Sequence, residues 1–212
     1  MKLRILLLCL LLLSVSFSRI TEIQWQEVKE VYRISQENTA DVRAKFDLAM
    51  VYAYTGFLQE GFHELDVINK MDPEFHKNIL IETAQVVSTD PLSWKSNFYY
   101  AFALYFNNRK DEARDYFYKV FELTNEKSVK GWSLGYIAYI YGEQSQWRTA
   151  LKIIDQAIRN EPDGMGLFLA KAYGQQKVGD FFGVTGTLFQ IGAMQASGMF
   201  NKYNINNLKN EK

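Results

Sequence analysis

Residues 131–162, "GWSLGYIAYIYGEQSQWRTALKIIDQAIRNEP", decide the fold. The second half reads as a short helix stopped at Pro162, because proline cannot continue a helix it has not started. Its inner stripe is Ala150, Ile154 and Ala157, at i, i+4 and i+7, so two of three core-facing positions carry almost no side chain. The first half carries Leu134, Ile137, Ala138 and Tyr141 at helical spacing. A buried face shaved to alanine needs a second backbone close by. Ala138, at position i to the i+12 of Ala150, supplies it.

The same arrangement recurs upstream. "NFYYAFALYFNNRKDEARDYFYKVF" gives Tyr100-Ala101-x-x-Leu104, then Ala113-x-x-x-Phe117. "AKFDLAMVYAYTGFLQEGFHELDVINKMDP" gives Leu48-Ala49-x-x-Tyr52, then Gly61-x-x-x-Leu65 and Pro73. Ala49–Gly61, Ala101–Ala113 and Ala138–Ala150 all share the i, i+12 offset. If these were merely good helix formers, no fixed offset would be expected. Near the end, Leu169-Ala170-x-x-Tyr173 repeats the first half. The pattern resembles the tetratricopeptide repeat, a 34-residue helix–turn–helix with small residues facing each other across the hairpin. The resemblance implies an all-α, right-handed solenoid with capping helices.

Spacing between repeats sets the domain plan. The step from Ala49 to Ala101 exceeds one repeat by the length of a helix and its turn, and "EFHKNILIETAQVVS" at 74–88 can supply that helix. Repeats then span about 40–73, 94–127, 128–162 and 163–194, after an N-terminal capping helix within 19–39. That cap is expected at 21–37, with Ile23, Val28, Val31 and Ile34 as its apolar stripe. The fourth repeat drifts, since Val184 and Leu188 fall two residues late for Ala170. The C-terminal tail is 195–212, of which the polar stretch 201–212 is expected to fray.

Residues 1–18 combine a basic start at Lys2 and Arg4, an apolar run from Ile5 to Phe17, and small residues at Ser16 and Ser18. That order is a secretory signal peptide. It predicts export to the periplasm, cell envelope or exterior, with membrane anchoring by an uncleaved segment as the alternative. The run is short for a span. The single cysteine, Cys9, lies inside it, so the exported chain has no disulfide and no thiol nucleophile. Without Lys2 and Arg4, 22 basic residues face 24 acidic ones, and no basic surplus exists to hold nucleic acid. Membrane contact is expected only through an uncleaved N-terminus. Residues 181–200 carry no charge, but their Thr, Gln, Ser and Gly content favours a buried or dimer-forming helix over a bilayer span.

Chemistry finds few candidates. The two histidines, His63 and His76, have no nucleophile or ligand partner nearby in sequence, so no catalytic residue, metal, cofactor or small-molecule substrate is expected. The resemblance implies instead a concave groove lined by the first helices. Helical phase puts Phe46, Met50, Phe98, Phe102, Tyr105, Trp132 and Tyr139 there, with Gly135 leaving a gap beside Trp132. As a groove these residues would bind a peptide or protein segment. The opposing possibility is that helix 74–88 or the N-terminal helix folds over and buries them. Apolar residues at Phe46, Met50 and Trp132 also disfavour the Lys/Asn/Arg clamp that some family members use for carboxyl-terminal tails. Two functions are open: a non-catalytic adaptor or scaffold binding a partner segment, or a self-assembly module oligomerising through its glycine-rich C-terminal helices.

Overall fold

A computed structural model describes residues 20–196 together with Tyr203, Ile205 and Leu208. Residues 1–18, the expected signal peptide, lie outside them. Ten helices succeed one another and no strand occurs among the described residues: α1 (Glu22–Glu37), α2 (Val42–Thr55), α3 (Leu58–Met71), α4 (Phe75–Thr89), α5 (Trp94–Phe106), α6 (Lys110–Leu123), α7 (Lys127–Glu143), α8 (Trp147–Asn160), α9 (Met165–Lys177) and α10 (Phe181–Ala196). The all-α array of helix–turn–helix pairs is therefore present, as α2/α3, α5/α6, α7/α8 and α9/α10.

The small residues do what their offset requires. Ala49, Ala101, Ala113, Ala138 and Ala150 are buried. A Cβ added to Gly61 would stand 3.4 Å from the Ala49 carbonyl oxygen, ordinary contact between two close backbones. In the fourth pair the register differs from expectation. Ala170 is exposed, whereas Ala172 and Val184 are buried, and these two have the i, i+12 offset. Ala172 also lies one full repeat length after Ala138, so the drift read from Ala170 disappears. The turns agree. The left-handed residues of the described chain are Gly56, Asn108, Ser145 and Gly179, each seven positions after its repeat's small residue. Those turns need φ > 0, which glycine adopts freely and asparagine tolerates.

Helix α4 changes the path of the array. Pro73 ends α3, and the Asp72 carboxylate accepts from the Glu74 N–H at 3.0 Å to turn the chain. Helix α4 then packs along α5. One unpaired helix reverses the direction of the later ones, so α5 runs against α2. Tyr54 at the end of α2 meets Trp94 at the start of α5, with ring centroids 5.2 Å apart. The array next bends until α2 packs on α7, where the Tyr136 hydroxyl donates to the Ala53 carbonyl at 2.8 Å.

Helix α1 caps the start by a face rotated from the one expected: Val28 is buried and Val31 packs on the core, but the two isoleucines of the stripe do not follow. Ile23 is 82% exposed and Ile34 is exposed too, while Gln24, Trp25, Val28 and Ser35 are buried. Trp25 packs on Phe57 (centroids 6.1 Å), an area no aliphatic residue on α1 could match. Gln24 is satisfied while buried: its amide donates to Glu126 at 3.0 Å and Ser128 at 2.7 Å. The end of the chain returns to the same place. Tyr203 lies 5.1 Å from the Trp25 ring and donates to Glu22 at 2.6 Å, and Ile205 and Leu208 are buried in the main core. A frayed tail is thus corrected at those three residues, which supply apolar area that a polar composition hides.

Candidate functional site

Five of the seven expected groove residues are in the core. Phe46, Met50, Phe98, Phe102 and Trp132 are buried, and only Tyr105, half-buried, and Tyr139 reach the surface. The physical reason is twofold: Phe75 of α4 and Tyr99 of α5 cover Phe46, and the α2–α7 contact closes part of the trough that open first helices would have formed. Tyr136, not singled out from the sequence, fills its centre. Its ring lies 4.7 Å from Phe102, 5.3 Å from Phe117 and 6.0 Å from Phe98. It is four residues after Trp132 and three before Tyr139, the middle of the same strip, and that spacing was the available signal. Gly135 leaves no gap either. A Cβ there would sit 2.7 Å from Leu167 Cδ2, so the α9 side chain occupies that space. Trp132 is closed over at Gly166, where a Cβ would lie 2.7 Å from Leu58 and 3.2 Å from the indole.

An opening lies where the pairing of helices breaks. Because α4 packs along α5 and not along α3, α3 and α4 splay at the Asp72-Pro73 joint and leave a cleft of about 240 Å³. Phe46, Leu65, Ile68, Phe75 and Phe106 line it, with Asn69, Asp72 and His76 at its polar edge. Two hydrogen bonds hold the walls. Asn107 donates from Nδ2 to the His76 carbonyl at 2.6 Å, tying the end of α5 to the start of α4, and His76 Nδ1 lies 2.9 Å from the Pro73 carbonyl. Phe46 and Phe75 meet edge to face at 5.5 Å.

An aromatic rim extends outward from this cleft. Phe106 adjoins Tyr105 (5.9 Å), which adjoins Tyr139 (6.2 Å). The Tyr105 hydroxyl donates to Glu143 at 3.1 Å, and Lys110 pairs with Glu143 at 3.4 Å. Burial, followed by the neighbouring Tyr139 hydroxyl and the Glu143 carboxylate, holds the Tyr105 phenol well above its usual range, so it stays a neutral donor. The two surface members of the expected set, Tyr105 and Tyr139, thus neighbour the cleft through Phe106, although neither lines it.

Small-molecule sites commonly enclose about 300–1,000 Å³. A 240 Å³ apolar cleft with three polar groups on its edge suits one bulky side chain. Among the described residues no group of three or more His, Cys, Asp or Glu is placed to hold a metal ion. No described helix is long and apolar enough to cross a membrane.

No protein-family model matches the chain, and no curated protein matches it. Among solved structures, "Crystal structure of MamA" is similar over 83% of this chain and 90% of that one, at 12% identity and a TM-score of 0.47. At that level nothing about partners or activity transfers.

Proposed function

We propose that this protein is an exported, non-catalytic scaffold that holds a segment of another protein, seating one bulky apolar side chain in the cleft between α3 and α4. The observation that carries the reading is the cleft itself: apolar walls from four helices, a volume of about 240 Å³, and a polar edge able to orient a backbone. Tyr105 and Tyr139 extend the contact along the surface. Neither residue is asked to do chemistry.

Export rests on the order of charged, apolar and small residues in 1–18. N-terminal sequencing of recovered protein is expected to begin near Arg19, and an intact Met1 would replace export by anchoring. The cleft is tested by peptide display against the purified protein, with Asn69→Trp as a plug. Asn69 is exposed at the rim, so the fold should be retained. Selected peptides are expected to share a bulky apolar residue and to lose about tenfold or more in affinity to Asn69→Trp, the loss of about 1.4 kcal/mol. Peptides that bind the plugged protein equally well would refute the site.

A further inference from the structure

Helix α10 buries one stripe, Val184, Thr187 and Ile191, against α9. Its opposite stripe carries Phe182, Thr185, Gly186, Phe189 and Ala193, all exposed and all uncharged. Phe182 is 95% exposed, Phe189 79% and neighbouring Phe181 62%. An ordinary outward helix face is charged or polar. Here no charge occurs from Phe181 to Phe200. This is the last hairpin among the described residues, and the outer face of a terminal repeat must be polar or covered.

We propose that the cover is a second copy of this chain, docked isologously through α10. Three features select that occupant. The first is area. A phenylalanine can bury about 150–250 Å², so these three rings offer roughly 350–600 Å² per copy. A stable interface takes about 800 Å² from each partner, and the exposed backbone around Gly186 extends the patch toward that figure. The second is shape. Two large rings, at 182 and 189, flank small residues at Thr185 and Gly186, and among the described residues nothing lies within 4 Å of the Gly186 Cβ position. A two-fold axis through Thr185 and Gly186 would lay Phe182 beside Phe189 of the partner subunit, and Phe189 beside Phe182 of the partner subunit, with the glycines letting the backbones close. Such a patch is its own complement. The third is charge. An interfacial membrane helix carries Lys and Arg on its polar face, and α10 has neither. Of the described residues that follow α10, Tyr203 is seated on Trp25 and Ile205 and Leu208 lie in the main core.

This inference goes beyond the cleft reading and rests on a different helix, so either can fail alone. The test is sedimentation velocity of the purified protein from about 1 to 100 µM, with Phe182→Glu, Phe189→Glu and, off the patch on α3, the exposed Phe62→Glu. The expected result is a species of twice the protomer mass for the unaltered protein and Phe62→Glu. Each α10 variant is expected to weaken dimerisation by about 100-fold or more, because one substitution removes two buried rings. Their circular-dichroism melts at concentrations where all are monomeric should coincide. A protein that stays monomeric to 100 µM overturns the proposal, as do α10 variants that remain dimeric. A monomer that co-sediments with phosphatidylcholine vesicles and loses this on Phe182→Glu assigns the face to lipid and overturns it too. A monomer whose melt falls on Phe182→Glu shows the face covered by the chain's own N-terminal segment, and this also overturns the proposal.

Discussion

Gly131→Ala sets two rules against each other. Gly131 lies inside α7, where replacing glycine by alanine ordinarily gains about 1 kcal/mol of helix stability. In this fold α7 passes the end of α8 at that point. The added Cβ would stand 2.4 Å from Glu161 Cβ, 3.1 Å from the Ala157 carbonyl oxygen and 3.1 Å from the Glu161 nitrogen. None of these is the free end of a flexible side chain, so the helices must separate. Overpacking typically costs about 1–3 kcal/mol, and a clash with backbone on two sides belongs at the upper end. The net expectation is a loss of about 2 kcal/mol, which for a chain of this size lowers Tm by about 4–8 °C. Circular-dichroism melting measures it, with Gly192→Ala as the control. Among the described residues nothing lies within 4 Å of that glycine's Cβ position, so its variant should melt at or slightly above the unaltered protein. If Gly131→Ala melts as high as Gly192→Ala, the close approach of α7 to the Glu161-Pro162 joint is refuted.

Trp132→Ala is expected to cost about 3–5 kcal/mol, as for any large buried ring, and to collapse the melt whether or not a partner is present. A near-normal melt would return Trp132 to an open groove. Glu161 supplies a pH test. Burial, with Asp163 adding to it, pushes its carboxyl up to about 7 from 4.5. A raised carboxyl binds its proton more tightly folded than unfolded, so stability is full below about pH 4.5 and falls as pH rises to about 7. At 1.36 kcal/mol per unit the loss is about 3 kcal/mol. Glu161→Gln should therefore melt higher than the unaltered protein at pH 8, with the gap closing toward pH 4.5. Parallel melting curves across that range would show that the side chain is solvated.

Local rules alone carried the fold class, because the information sits within one hairpin. The shared offset of Ala49–Gly61, Ala101–Ala113 and Ala138–Ala150 requires two helices in close contact, and proline at 73 and 162 stops its pair. The fourth hairpin shows how far that reaches. Ala170 matched the motif's letters, but Ala172 has the burial, the partner Val184 and the left-handed Gly179 seven positions on. Letters gave way to packing where the repeat had degenerated.

No window of sequence contains the angle at which successive hairpins stack. A single unpaired helix, α4, reverses α5 against α2, and the later turns bring α7 onto α2. That long-range contact, with α4 and α5 over Phe46 and α9 over Trp132, converts Phe46, Met50, Phe98, Phe102 and Trp132 from groove to core, and it places Tyr136 beside Phe98 and Phe102 with its hydroxyl on Ala53. Helical phase says which residues share a face. Only the tertiary structure says whether another helix covers that face, because burying a ring depends on a partner one or more whole hairpins away. The same holds at both ends of the array. Trp25 and Tyr203 cover one another from opposite ends of the chain, whereas Phe182 and Phe189 share a stripe whose cover the described chain does not provide.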